Sequence, residues 1–63
     1  MKYSVVYKGA FFVGDKENQW NEYDARDWAD AWGLYNMLRQ DAQMQSYIKD
    51  HDEDLCYEDG EWY

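Results

Sequence analysis

The chain has no proline, one cysteine and six basic side chains among its 63 residues. Without proline, breaks between elements rest on polar clusters and on the four glycines. A lone cysteine, Cys56, excludes an internal disulfide and agrees with a reducing compartment. Six cations against 14 carboxylates give a net charge of −8, which argues against gripping phosphate backbones or anionic membranes through basic residues. No apolar run is long enough to span a bilayer, and the amino terminus lacks the apolar stretch of a secretory signal, so the expected location is the cytoplasm. A Gly-rich phosphate loop, an HExxH pattern and paired-cysteine zinc spacing are also missing, and no cofactor or metal is expected.

Aromatic residues are abundant instead: four Trp, seven Tyr and two Phe. A single domain of this size buries only about 60% of the surface its unfolded chain exposes. Its thin core then needs dense aromatic packing or self-association, because each aromatic ring can bury about 150–250 Å². A homodimer stays open on this ground.

The order of patterns predicts an α+β fold, a small antiparallel sheet of three to four strands with one helix packed on it. Tyr3, Val5 and Tyr7 alternate with Ser4, Val6 and Lys8, the period of a strand over 2–8. Phe11-Phe12-Val13, between Gly9 and Gly14, reads as a short strand or an aromatic plug. A second strand is expected over 19–25. Asp27 followed by Asp30 has the form of a helix start. From there a stripe of Trp28, Ala31, Leu34, Tyr35, Leu38 and Ala42 predicts a helix reaching Gln45 or Tyr47. A second stripe on that helix, with Asp30, Met37, Asp41, Met44 and Ile48, reads as packing under the returning chain or as a contact surface, since methionine adapts to irregular partners. Asp59-Gly60 between apolar runs predicts a hairpin, with Tyr57 facing Trp62 and Glu58 facing Glu61.

Charge is unevenly placed. Residues 17–63 hold 13 of the carboxylates, and Asp50 to Glu61 hold seven with no Lys or Arg. Like-charge blocks of this kind are commonly solvated tails, but Leu55, Cys56, Tyr57, Trp62 and Tyr63 are interleaved here, and disordered acidic tails are poor in aromatics. An ordered acidic face follows. Asp50, Asp52, Asp54, Glu58 and Glu61 stand at the offsets of an EF-hand calcium loop, yet Leu55 occupies the position where that loop needs glycine. Read as an extended segment, Asp50, Asp52 and Asp54 project on one face at intervals of about 6.6 Å, like a row of phosphates. Asp24, Asp27, Asp30 and Asp41 extend the row along the helix, while Glu53, Glu58, Asp59 and Glu61 add charge and Trp62 and Tyr63 supply apolar anchors.

A Cys56–His51 catalytic pair is disfavoured, because surrounding carboxylates oppose the thiolate. A chain this short also has little room for a substrate cleft, so catalysis is not expected. The segment from Glu22 to Ala31 and the acidic end from Asp50 to Glu61 together resemble the small acidic proteins that bacteriophages use against host defence or nucleic-acid enzymes, among them DNA mimics, anti-restriction and anti-CRISPR proteins. The resemblance implies an inhibitor that occupies the basic groove of a nucleic-acid-binding enzyme or defence complex in the host cytoplasm. Its partner would be a basic protein surface, with no direct nucleic-acid or membrane contact. The reading from a different class is an adaptor or self-associating protein that uses Met37, Met44 and Ile48.

Overall fold

The computed structural model describes residues 2–63. Strands β1 (Tyr3–Lys8) and β2 (Trp20–Ala25) lead into helix α1 (Trp28–Arg39), followed by β3 (Gln45–Asp50), β4 (Leu55–Glu58) and β5 (Glu61–Trp62). The fold is α+β. The five strands form one antiparallel sheet in the order β2-β1-β3-β4-β5, one or two strands more than the pattern predicts.

Strand β1 is central because its alternation suits burial: Val5 and Tyr7 turn towards the helix and are 0% and 1% exposed. Ala25 and Ile48 from its two neighbours join them, as do Ala31, Leu34, Tyr35 and Leu38 from α1. Of these, Val5, Leu38 and Ile48 stabilise by about 1.5–3 kcal/mol each as fully buried aliphatic side chains. Asp27 caps the helix as its spacing predicts, accepting from the Asp30 N–H at 2.9 Å. Among the described residues, only one face of the sheet carries a helix.

The helix ends earlier than its apolar stripe suggests. The Gln40 N–H donates to the Met37 carbonyl oxygen at 3.3 Å, a tightened final turn, and the Asp41 carboxylate then accepts from the Gln43 N–H at 3.0 Å. That side-chain turn competes with continued helix. Beyond it, Ser46 and Ile48 alternate with Gln45, Tyr47 and Lys49 as β3, filling the second side of β1. The Met37, Met44 and Ile48 stripe therefore does not exist as a surface. Met37 is exposed on α1, Met44 packs half-buried against the core, and Ile48 is fully buried in a strand. Ala42 lies outside the helix and is exposed.

The segment 11–13 is neither strand nor a plug beneath the sheet. It is a loop at the side of the molecule, where Phe12 stacks on Tyr23 with ring centres 5.6 Å apart. The terminal hairpin forms as expected, with Tyr57 opposite Trp62 and Glu58 opposite Glu61. Asp59 and Gly60 both adopt positive φ, 54° and 84°, as a two-residue turn of the primed type requires.

Candidate functional site

The sheet register sets Ala25, Tyr3, Asp50 and Leu55 side by side in one row across four strands. The row marks one end of the sheet, where β2 runs into the helix cap and β3 turns into β4. Asp24 and Asp27 from the first connection thus share an end with Asp50, Asp52, Glu53 and Asp54 from the second.

The geometry of this group differs from a linear row. Residues 51–54 form a tight turn, not an extended segment, so Asp50, Asp52 and Asp54 do not project on a common face. The Asp50 carboxylate folds into that turn, accepting the N–H groups of Asp52 and Glu53 at 3.0 and 3.2 Å, and is only 3% exposed. Its role is structural. Asp54 closes the turn with φ of 55°. The Lys49 ammonium reaches the Asp54 carboxylate at 2.6 Å, and that hydrogen bond holds the Asp54 carboxyl below the usual range. Asp24, Asp27, Asp52 and Glu53 are exposed, and among the described residues none of them has an ion-pair partner. Trp62 reaches this end from the β5 edge, on the helix face: a hollow of about 460 Å³ is lined by Lys2, Tyr3, Asp50, Glu53, Leu55 and Trp62.

Other expected contact residues lie elsewhere. Asp30 does not continue the row: it accepts from the Tyr23 hydroxyl at 3.0 Å and the Arg26 N–H at 3.1 Å, tying β2 to the helix. Asp41 caps the turn after α1, at the opposite end of the sheet. In the hairpin, Asp59 pairs with Arg39 and donates its N–H to the Tyr35 hydroxyl. Glu58 accepts from the Tyr63 hydroxyl at 2.8 Å, a bond that, with some burial, raises the Tyr63 phenol to about 12. Glu61 stands opposite Glu58 at the hairpin's exposed end. The acidic residues therefore form one end cluster and a separate hairpin group. Residues 50–61 divide between a tight turn and a hairpin, so they do not form the single wrapping loop of an EF-hand.

The helix-free face carries a group that the sequence pattern did not show. Ser4 is fully buried although its strand position turns away from the helix, because His51 and Asp24 cover it. Its hydroxyl donates to Asp24 at 3.1 Å and lies 2.7 Å from His51 Nε2, which is 3.4 Å from Glu22. The Ser4 hydroxyl thus sits within hydrogen-bond distance of a carboxylate and an imidazole, and the His51 tautomer sets the direction of the second bond. Beside it a hollow of about 390 Å³ is lined by Val6, Trp20, Tyr47, Lys49, His51 and Cys56. Serine within an alternating strand was the one available signal.

No protein-family model, curated protein or solved structure matches the chain.

Proposed function

We propose that the chain is a binding protein that inhibits a nucleic-acid-binding enzyme or defence complex by occupying its basic groove. The observation that carries this reading is the gathering of Asp24, Asp27, Asp52, Glu53 and Asp54, from two distant stretches of sequence, onto one end of the sheet. Trp62 lines the hollow beside Glu53 and supplies the apolar contact that charge alone lacks. A cluster of fixed carboxylates presents to a lysine- and arginine-lined groove the charge that phosphates would present, and steers association in the same way.

The test is retention of nucleic-acid-binding proteins from a bacterial lysate on the immobilised chain, with duplex DNA as competitor. Binding should weaken by about tenfold or more between 50 and 200 mM salt, as phosphate-like contacts do. Added DNA should release the retained proteins. Converting Asp52→Asn, Glu53→Gln and Asp54→Asn together should abolish retention. Retention that is indifferent to both DNA and the triple substitution would sink the reading.

A further inference from the structure

Strand β2 ends the sheet on one side, and its ladder with β1 fixes which of its backbone groups are already used. The Gly9 N–H donates to the Gln19 carbonyl oxygen at 3.0 Å, just beyond the strand pair. Bonded pairs in an antiparallel ladder recur at every second position. Asn21, Tyr23 and Ala25 therefore bond to Tyr7, Val5 and Tyr3, while the N–H and C=O groups of Trp20, Glu22 and Asp24 point away from the sheet. The other side of β1 agrees: the His51 N–H donates to the Lys2 carbonyl oxygen at 2.8 Å, which assigns the even-numbered residues of β1 to β3. Among the described residues no strand lies outside β2.

The two faces beside this edge differ in chemistry. On the helix side, a hollow of about 340 Å³ is lined mostly by apolar side chains, Phe11, Phe12, Leu34 and Met37 among them, with Tyr23 and the Asp30 carboxylate also in its wall, and Phe11, Phe12 and Met37 are exposed. On the helix-free side, β2 presents the carboxylates of Glu22 and Asp24, both exposed. An added strand would send alternate side chains to these two faces.

We propose that the β2 edge takes up an extended segment of a partner protein in which Lys or Arg alternates with apolar residues. The basic side chains meet Glu22 and Asp24 as opposite-charge cross-strand pairs. The apolar ones enter the hollow at Phe12 and Met37, and the backbone bonds to Trp20, Glu22 and Asp24. A second copy of the chain suits the edge poorly. Antiparallel self-pairing centred on Glu22 sets that carboxylate against its own copy, and a shift of register in one direction sets Glu22 against Asp24, while every register brings together molecules of net charge −8. Like charges placed so are destabilising, and charged residues are a recognised guard against self-association at exposed edges. The inference rests on the basic partner proposed above and adds where and how one segment of it binds.

The probe is a short blocked peptide of alternating Lys and Val, compared with a peptide of the same composition in which all Lys precede all Val. The alternating peptide should bind more tightly and, at saturation, slow hydrogen exchange at the Trp20, Glu22 and Asp24 amides while leaving Asn21, Tyr23 and Ala25 unchanged. Glu22→Pro deletes one outward donor at an edge position where proline is tolerated. Relative to Glu22→Gln, which removes the charge but keeps the donor, it should weaken the alternating peptide by about five- to tenfold, the worth of one hydrogen bond to a well-placed partner. Should that variant fail to fold, exchange at the three amides in the unaltered chain decides. Equal binding of the two peptides, or unchanged exchange at those amides, overturns the edge site while leaving the acidic end intact. Protection that rises with protein concentration alone overturns it in favour of self-pairing. If neither peptide binds at low salt, the basic partner itself is lost.

Discussion

At the β5 edge, Trp28, Trp32, Tyr35, Tyr57 and Trp62 interlock, with ring centres 5.3–5.8 Å apart, and close the helix onto the sheet. At the β2 edge the closing device is a loop instead. The Asp15 carboxylate accepts from the Tyr7 hydroxyl at 2.6 Å and from the Phe11 and Phe12 amides at 3.0 and 2.7 Å, which holds the two Phe rings beside Tyr23. The first edge is a strand of two residues behind a wall of rings; the second is six residues long with half its backbone groups turned outward. Among the described residues, no strand covers the groups that β2 turns outward.

Removing the wall should be the most damaging change. Trp28 contacts Tyr3, Trp32, Tyr57 and Trp62, and truncation of a large packed aromatic costs about 3–5 kcal/mol when fully buried. For half-buried Trp28 the lower end of that range, about 3 kcal/mol, is expected. A domain of this size holds only about 3–9 kcal/mol in total, so Trp28→Ala should be largely unfolded or close to it in urea titration. A variant with an unshifted midpoint would show that the hairpin closes without its rings.

Loosening the loop should cost less. Tyr7→Phe removes one buried hydrogen bond, worth about 1 kcal/mol, and should speed exchange in β2 and the loop at 10–16 more than in β4. The same bond gives a pH signature. Tyr7 holds the Asp15 carboxyl below its ordinary value, with the Phe12 and Phe11 amides assisting. A carboxyl depressed in the folded state contributes stability above the unfolded pKa of about 3.9 and loses it as pH falls through the folded value. Unfolding below about pH 4 should therefore be shallower in Tyr7→Phe than in the parent chain. Burial and Asp15 raise the Tyr7 phenol, so its contribution is complete below about pH 10 and disappears at more alkaline pH.

How much of the two edges could be read from sequence follows from the range of the interactions. The hairpin was legible because Asp59-Gly60 is a local turn signal with strand patterns on both sides, and the helix start was legible because Asp27 caps within its own next turn. The helix stop was not. Asp41 to Gln45 contains no Gly or Pro, and residues such as Ala42, Gln43 and Met44 are good helix formers. What turns the chain into β3 is the unfilled side of β1, more than thirty positions away in sequence. The same holds for the acidic residues: their order along Asp50–Asp54 suggested a row, whereas the Asp50 carboxylate is consumed by its own turn and Asp24 and Asp27 arrive through sheet register. Gly14-Asp15 reads from sequence as a turn only; the closing role of the Asp15 carboxylate has no local signal, because its partner Tyr7 lies across a loop with no marked spacing.

The smallest effect tests whether the closed edge is fully optimised. Glu58 and Glu61 face each other at its outermost pair, and like charges so placed cost a few tenths of a kcal/mol to about 1 kcal/mol. Glu58 is needed by the Tyr63 hydroxyl, so the change belongs at Glu61. Glu61→Lys should raise stability by about 0.5 kcal/mol, seen as a higher urea midpoint at low salt that converges on the parent at high salt. If the gain is absent at low salt, the pair is already relieved by solvent, and the hairpin's acidity carries no structural cost. If it appears, the chain retains a repulsive pair on its sealed side, as it retains Glu22 and Asp24 on the open one. Negative charge would then be kept at both edges at the expense of stability, as expected where surface charge serves binding rather than folding.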